Sequence, residues 1–157
     1  MKTLTILSTQ WNLSVHKARE IINRFHEQLL FLKEGHVADV VKTDIDTEQD
    51  FPLVTVLMGP DTREELTKEM YQHQLTLYTD ISVRVGKDSL YEAMLDIREQ
   101  IELKVLQMQK LDLDFVFKIT FQNMGEPEYN GEGVDYTCKA RLEFMVEYFS
   151  QHDNPSA

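Results

Sequence analysis

The residues best spaced for chemistry are the acids Asp44, Asp46 and Glu48, which alternate like the first ligands of a calcium loop, with Asp50 next in the same polar stretch. Such a loop needs a glycine at its sixth position for the turn and a bidentate glutamate at its twelfth. Gln49 and Thr55 stand there instead. The stretch therefore reads as a solvated acidic loop, with a looser divalent-cation site as its chemical alternative. Histidines 16, 26, 36, 73 and 152 include no pair three or four residues apart, the spacing that puts two imidazoles on one helical face, so no metal site is expected. The single cysteine, Cys138, can form neither an intrachain disulfide nor a thiolate cluster, and it falls on the inward set of an alternating strand. Gly125, Gly131 and Gly133 lack the GxGxxG spacing and precede a strand, not a helix, which makes them loop material. Trp11, Tyr71 and Tyr78 could stack on a ligand, but their simpler role is packing. No acid, base and nucleophile come together in the sequence, so neither a catalytic set nor a cofactor is expected.

The elements that carry these residues are legible from periodicity. Ala18, Ile21, Ile22, Phe25, Leu29 and Leu32 recur at helical spacing after Asn12 and Ser14, two candidate N-caps, and predict a helix over about 14–33 that stops at Gly35. Val37–Thr43 and Leu53–Met58 are β-branched, apolar runs and predict neighbouring strands joined by the acidic loop. Gly59, Pro60 and Asp61 predict a turn, and Thr62–Glu69 a charged loop or one exposed helical turn. Tyr71, His73, Leu75, Leu77, Thr79, Ile81, Val83 and Val85 alternate with polar partners, the pattern of a long strand with one buried face. Ser89 and Glu92 have capping-box spacing ahead of a helix over about 89–109, whose apolar stripe is Leu90, Met94, Ile97, Ile101, Val105 and Met108. Phe115, Phe117, Ile119 and Phe121 predict a further strand. After a loop over 123–133, Val134 to Tyr148 alternate as the last one, its outward set including Lys139 and Arg141.

The expected fold class is α+β: a single, mostly antiparallel β-sheet with two α-helices packed on one face, in the order α-β-β-β-α-β-β. The expected domain spans 14–149, between an N-terminal arm of open structure (1–13) and a loose tail (150–157). A strand of about 15 residues reaches near 50 Å, whereas a helix of about 21 covers near 32 Å, so the strands should outrun their helical cover. Bulges must break them, or their ends must find partners in another subunit.

Composition narrows the function. With 157 residues, 42% hydrophobic and 27% charged, the chain suits one globular domain. No run is long and apolar enough to span a membrane, and Met1–Trp11 lacks the cationic start and apolar centre of a signal peptide. The lone cysteine is compatible with synthesis in a reducing cytoplasm. A net charge of -11 argues against a surface built to neutralise nucleic-acid phosphates. The charge is unevenly placed: residues 1–33 hold five basic and two acidic side chains, the remainder eleven basic and 25 acidic.

In order and pattern the chain resembles the tail terminator, or tail completion, proteins of long-tailed bacteriophages, of the minor-tail-protein-U type. The resemblance is carried by the helix at 14–33, the strand "DFPLVTVLMGP" after an acidic loop, the strand "YQHQLTLYTDISVRV", the helix "DSLYEAMLDIREQI" and the closing strand "DYTCKARLEFMVEYF". It extends over 36–149, and less well over 1–35. It implies a homohexameric ring on the head-proximal end of the tail tube, assembled in the host cytoplasm and resident in the virion, that halts tube polymerisation and receives the head. The implied partners are further copies of the chain, the tail tube protein, a head-completion or connector protein, and DNA that passes through the lumen without specific binding. The resemblance brings no catalytic residue, metal or cofactor. An acidic lumen would repel phosphates and let DNA slide. On this reading Gln72, Gln74, Lys139 and Arg141, the acids Asp44, Asp46, Glu48 and Asp50, and the loop 123–133 are candidates for subunit or lumen contacts. Each has the plainer reading of a wetted sheet face or loop. Two other classes remain open: another tail ring such as a tube or head–tail connector protein, and a small α+β ligand-binding protein or enzyme, which should present a pocket with converging polar groups.

Overall fold

The computed structural model describes residues 16–42, 51–86, 89–108, 110–132 and 135–151. The arm 1–13, the acidic loop with Asp44, Asp46, Glu48 and Asp50, and the tail beyond Gln151 lie outside the described residues.

The architecture is α+β. One six-stranded sheet runs in the order β1-β2-β3-β6-β4, with β5 also on β6. The strands are β1 (Asp39–Val41), β2 (Leu53–Glu65), β3 (Met70–Val85), β4 (Val116–Met124), β5 (Glu128–Glu132) and β6 (Asp135–Gln151). Two helices, α1 (Lys17–Leu29) and α2 (Leu90–Gln107), pack on one face. All pairings are antiparallel except β1 with β2, which is parallel.

The core forms where the two periodicities meet. From α1 come Ile21, Phe25 and Leu29, from α2 Met94, Ile97 and Ile101, and from the sheet Leu75, Leu77, Ile81, Leu142, Phe144 and Val146, all buried in one cluster. Phe25 tilts against Phe144, their ring centroids 5.6 Å apart, which ties α1 to the middle of β6. β3 and β6 stay in unbroken register from Met70↔Gln151 to Val85↔Tyr136. Odd residues of β3 and even residues of β6 therefore face the helices.

Local chemistry departs from the sequence reading at several places. The first helix is capped by His16, whose Nδ1 accepts from the Ala18 amide at 3.0 Å; Asn12 and Ser14 lie outside the described residues. It tightens into a 3₁₀ turn, Leu30–Lys33, and the chain leaves at Gly35 with φ of 102°, a left-handed conformation that glycine tolerates. Ser89 holds an αR backbone and makes no side-chain cap, so the Ser89–Glu92 capping box does not form.

Gly59–Asp61 is not a turn. The register shifts between Met58 and Asp61, and β2 continues to Glu65 paired with β3. Pro60, lacking an N–H, is accommodated at this bulge, which lies beyond the reach of β1. The reversal comes later, at Leu66–Glu69, where the Thr67 hydroxyl accepts from the amides of Glu69 and Met70 at 3.1 Å.

Two further shifts, Val116/Lys118 and Phe121/Asn123, interrupt β4. The extra residue turns Val116 into the core and Phe117 out to 38% exposure, where it stacks on Phe149 at 5.0 Å. The stretch expected as a loop over 123–133 contains β5, which takes up the edge of β6 that β4 leaves at Leu142. Finally, β6 reaches Gln151, so Ser150 belongs to the sheet and not to the tail.

Candidate functional site

The face of the sheet opposite the helices carries the four candidate residues within the described chain. Register places Gln72 opposite Phe149 and Gln74 opposite Glu147, near one end of the β3–β6 ribbon, while Asp80 lies opposite Arg141 and Ser82 opposite Lys139. Gln74 and Asp80 are six residues apart, about 20 Å along an extended strand. The face thus splits the candidates into two groups, with Lys139 and Arg141 together and the glutamines apart from them.

Asp80 organises the second group. It is fully buried, yet its side chain points to the face that no helix of the described residues covers. Arg141 donates from Nε to Oδ1 at 2.8 Å and from Nη2 to Oδ2 at 3.0 Å, and Lys139 Nζ stands 3.5 Å from Oδ2. The fork of an arginine matches a carboxylate in this way, whereas a lysine contributes a point charge. The Arg141 guanidinium also lies over the Tyr78 ring at 4.3 Å. Glu128 of β5 lies directly opposite Lys139 in the ladder, so acids flank this pair of cations on both sides. Sequence reasoning placed Asp80 on the outward set and went no further; the available signal was an aspartate inside a long strand, where that residue is scarce.

Between β5 and the end of β3 lies a concavity of about 460 Å³ lined by Phe51, Ser82, Glu128, Tyr129 and Lys139. Tyr129 meets Tyr91 of α2 edge to face at 5.9 Å, and a hydrogen bond with Tyr91 is the main cause that pushes its phenol pKa up to about 12. Cys138 borders the same hollow; burial raises its thiol pKa, which keeps it a packing residue and not a nucleophile.

A second polar cluster sits on the helix-facing side and was not foreseen. His73 approaches Asp61 Oδ1 through Nδ1 at 3.1 Å and Ser150 Oγ through Nε2 at 2.6 Å. Tyr148 donates to Asp61 Oδ2 at 2.6 Å and stacks flat on the imidazole, centroids 4.3 Å apart. Burial first, and then Asp61, drive the Tyr148 phenol pKa upward, so it remains a donor. With a neutral ring, Nδ1 carries the proton toward Asp61 and Nε2 accepts from Ser150. Serine, histidine and aspartate thereby follow the order of an acyl-transfer relay. The surroundings differ from such a site: Ser150 is 2% exposed and lies in a paired strand opposite Tyr71. Asp61 reaches this cluster only because the β2 bulge redirects it, which sequence spacing could not reveal.

Two apolar hollows flank the cluster. One, of about 420 Å³, lies between the start of α1 and the bulge, lined by His16, Ala18, Arg19, Ile22, Met58 and Asp61. The other, of about 390 Å³, is lined by residues that include Lys17, Met70, Phe115, Phe149 and Ser150. Among the described residues no three His, Cys, Asp or Glu side chains converge as metal ligands. Comparison with protein-family models and with curated proteins returns no match to this chain.

Proposed function

We propose that the chain is a structural subunit of a phage tail, a terminator that assembles into a ring on the head-proximal end of the tail tube. The observation that carries this reading is the β3–β6 ribbon, 16 and 17 residues long and in continuous register, with helices on one face only among the described residues. At about 3.3 Å per residue it extends near 50 Å, while the 18 residues of α2 cover about 27 Å. Strand surface is thus left for neighbours. The edge of β2 supports the same reading: β1 pairs with it only from Leu53 to Thr55, so among the described residues Val56–Glu65 have no partner on that side. A net charge of -11 suits a passage through which DNA slides without sticking.

On this reading the partners are further copies of the chain, the tail tube and a head-side connector protein, and its place is the virion. No catalytic role, metal or cofactor is part of the proposal. Lys139 and Arg141, engaged by Asp80, shape the open face and stiffen it; Gln72 and Gln74 are left to meet a neighbour.

The test is the mass of the purified protein, alone and mixed with tail tubes, by light scattering and negative-stain imaging. A closed ring of about six copies on one tube end is expected. Open-ended tubes of the protein itself would instead favour a tube-type ring protein, and a monomer that ignores tail tubes would overturn the proposal.

A further inference from the structure

The outer side of α2 carries large apolar side chains among its exposed acids, where a solvated helix would be polar throughout. Tyr91, Leu95, Leu103 and Leu106 are 57%, 49%, 47% and 65% exposed. Tyr129 of β5 extends the patch through its contact with Tyr91. A helix places residues three and four apart on one side, so Leu95, Glu99, Glu102 and Leu106 form a single row. Glu102 is taken by Arg98 of the same helix at 3.0 Å. Glu92 and Glu99 are exposed and have no ion-pair partner among the described residues.

A complementary surface exists on the same molecule. The hollow between α1 and the β2 bulge is lined by Ala18, Ile22 and the 57%-exposed Met58, by Asp61, whose two oxygens are engaged by His73 and Tyr148, and by Arg19. Arg19 is exposed and has no ion-pair partner among the described residues. One surface offers apolar side chains among acids that have no ion-pair partner within the described residues; the other is a largely apolar recess whose acid, Asp61, is already engaged and whose cation, Arg19, is not. Docking α2 against α2 of a second copy would set Glu92 and Glu99 against their own kind; docking it into the recess pairs opposite charges.

We propose that the outer face of α2 in one copy seats in the α1–bulge recess of the next copy, with Glu99 meeting Arg19. Because the two surfaces differ, the contact is heterologous and repeats head to tail, the kind that makes a ring when its rotation closes and a filament when it does not. The inference deepens the ring reading and rests on it for the choice of a second copy as occupant.

The experiment is a charge swap read by the concentration at which self-association is half complete. Glu99→Arg and Arg19→Glu should each raise that concentration at least about tenfold, and the double variant should return to within about threefold of the wild type. Leu106→Ser should weaken association without a charge change. All three positions are exposed, and circular dichroism with urea unfolding checks that each variant folds. A double variant no better than either single one overturns the contact. Tube-capping rings indifferent to the swap sink this contact and leave the terminator reading standing. Swap-controlled association in a protein that ignores tubes does the reverse, and a monomer under all conditions overturns both.

Discussion

Arg141 of β6 grips both carboxylate oxygens of Asp80 of β3 at 2.8 and 3.0 Å, directly across the ribbon. The carboxylate is fully buried, while the arginine side chain keeps 46% exposure. Removing the guanidinium would leave a desolvated anion facing, among the described residues, only Lys139 at 3.5 Å. Arg141→Ala is therefore expected to cost about 3 kcal/mol in urea unfolding, the range seen when one partner of a buried pair is lost. Arg141→Lys should recover less than half of it, because an ammonium cannot span both oxygens. A cost below about 1 kcal/mol for the alanine variant would mean that water or Lys139 suffices for Asp80.

How much of this was legible in the sequence follows from which interactions are periodic. The alternation from His73 to Val83 and from Cys138 to Tyr148 assigned the buried face correctly, since one register error would have exposed every one of those side chains. The stripe Leu90, Met94, Ile97, Ile101 and Val105 likewise lies buried on α2. What periodicity cannot carry is a phase change: the bulge at Met58/Asp61 and the shift at Val116/Lys118 each insert a residue that no pattern announces. Asp61 and Phe117 were misplaced for that reason. Asp80 with Arg141, and His73 with Ser150, are partners 61 and 77 positions apart, and only the fold makes them neighbours.

The Asp61–His73–Ser150 chain has the connectivity of a nucleophile relay and the burial of a structural lock. With Ser150 2% exposed and Tyr148 occupying the second oxygen of Asp61, the expected result is no labelling of Ser150 by a fluorophosphonate. Ser150→Ala and Asp61→Asn should instead lower stability, by about 1 and about 2 kcal/mol, by stranding buried partners. Mass spectrometry that finds the probe on Ser150 would replace the lock with a nucleophile.

Gly59 owes its identity to the neighbour across the ladder. A Cβ there would come within 2.8 Å of the Tyr78 ring and 3.1 Å of Thr76 Cβ. Gly59→Ala should push the ring from its place beneath Arg141, 4.3 Å away, and destabilise the fold by about 1 to 3 kcal/mol. Adding Tyr78→Ala to that variant removes the clash, so the two substitutions together should cost less than the sum of their separate effects. Strict additivity in denaturation experiments would place the strain elsewhere.

Lys17 is 8% exposed, makes no salt bridge among the described residues, and holds its Nζ 5.0 Å from the centroid of Phe115. Burial lowers its pKa from the ordinary 10.5, against a smaller opposing pull from Glu20. In the window between that lowered value and 10.5 the unfolded chain binds more protons than the folded one, so stability rises with pH across it. Below the window the cost of the buried charge is fully present; above it the cost is gone. Lys17→Met should accordingly stabilise the protein by about 1 kcal/mol at pH 7, since the thioether fills the same space without the charge. The advantage should shrink steadily as urea unfolding is repeated toward pH 10.5. A gain that stays constant with pH would trace to packing alone, and a loss at pH 7 would mean that the ammonium is held by its contact with Phe115 more strongly than burial penalises it.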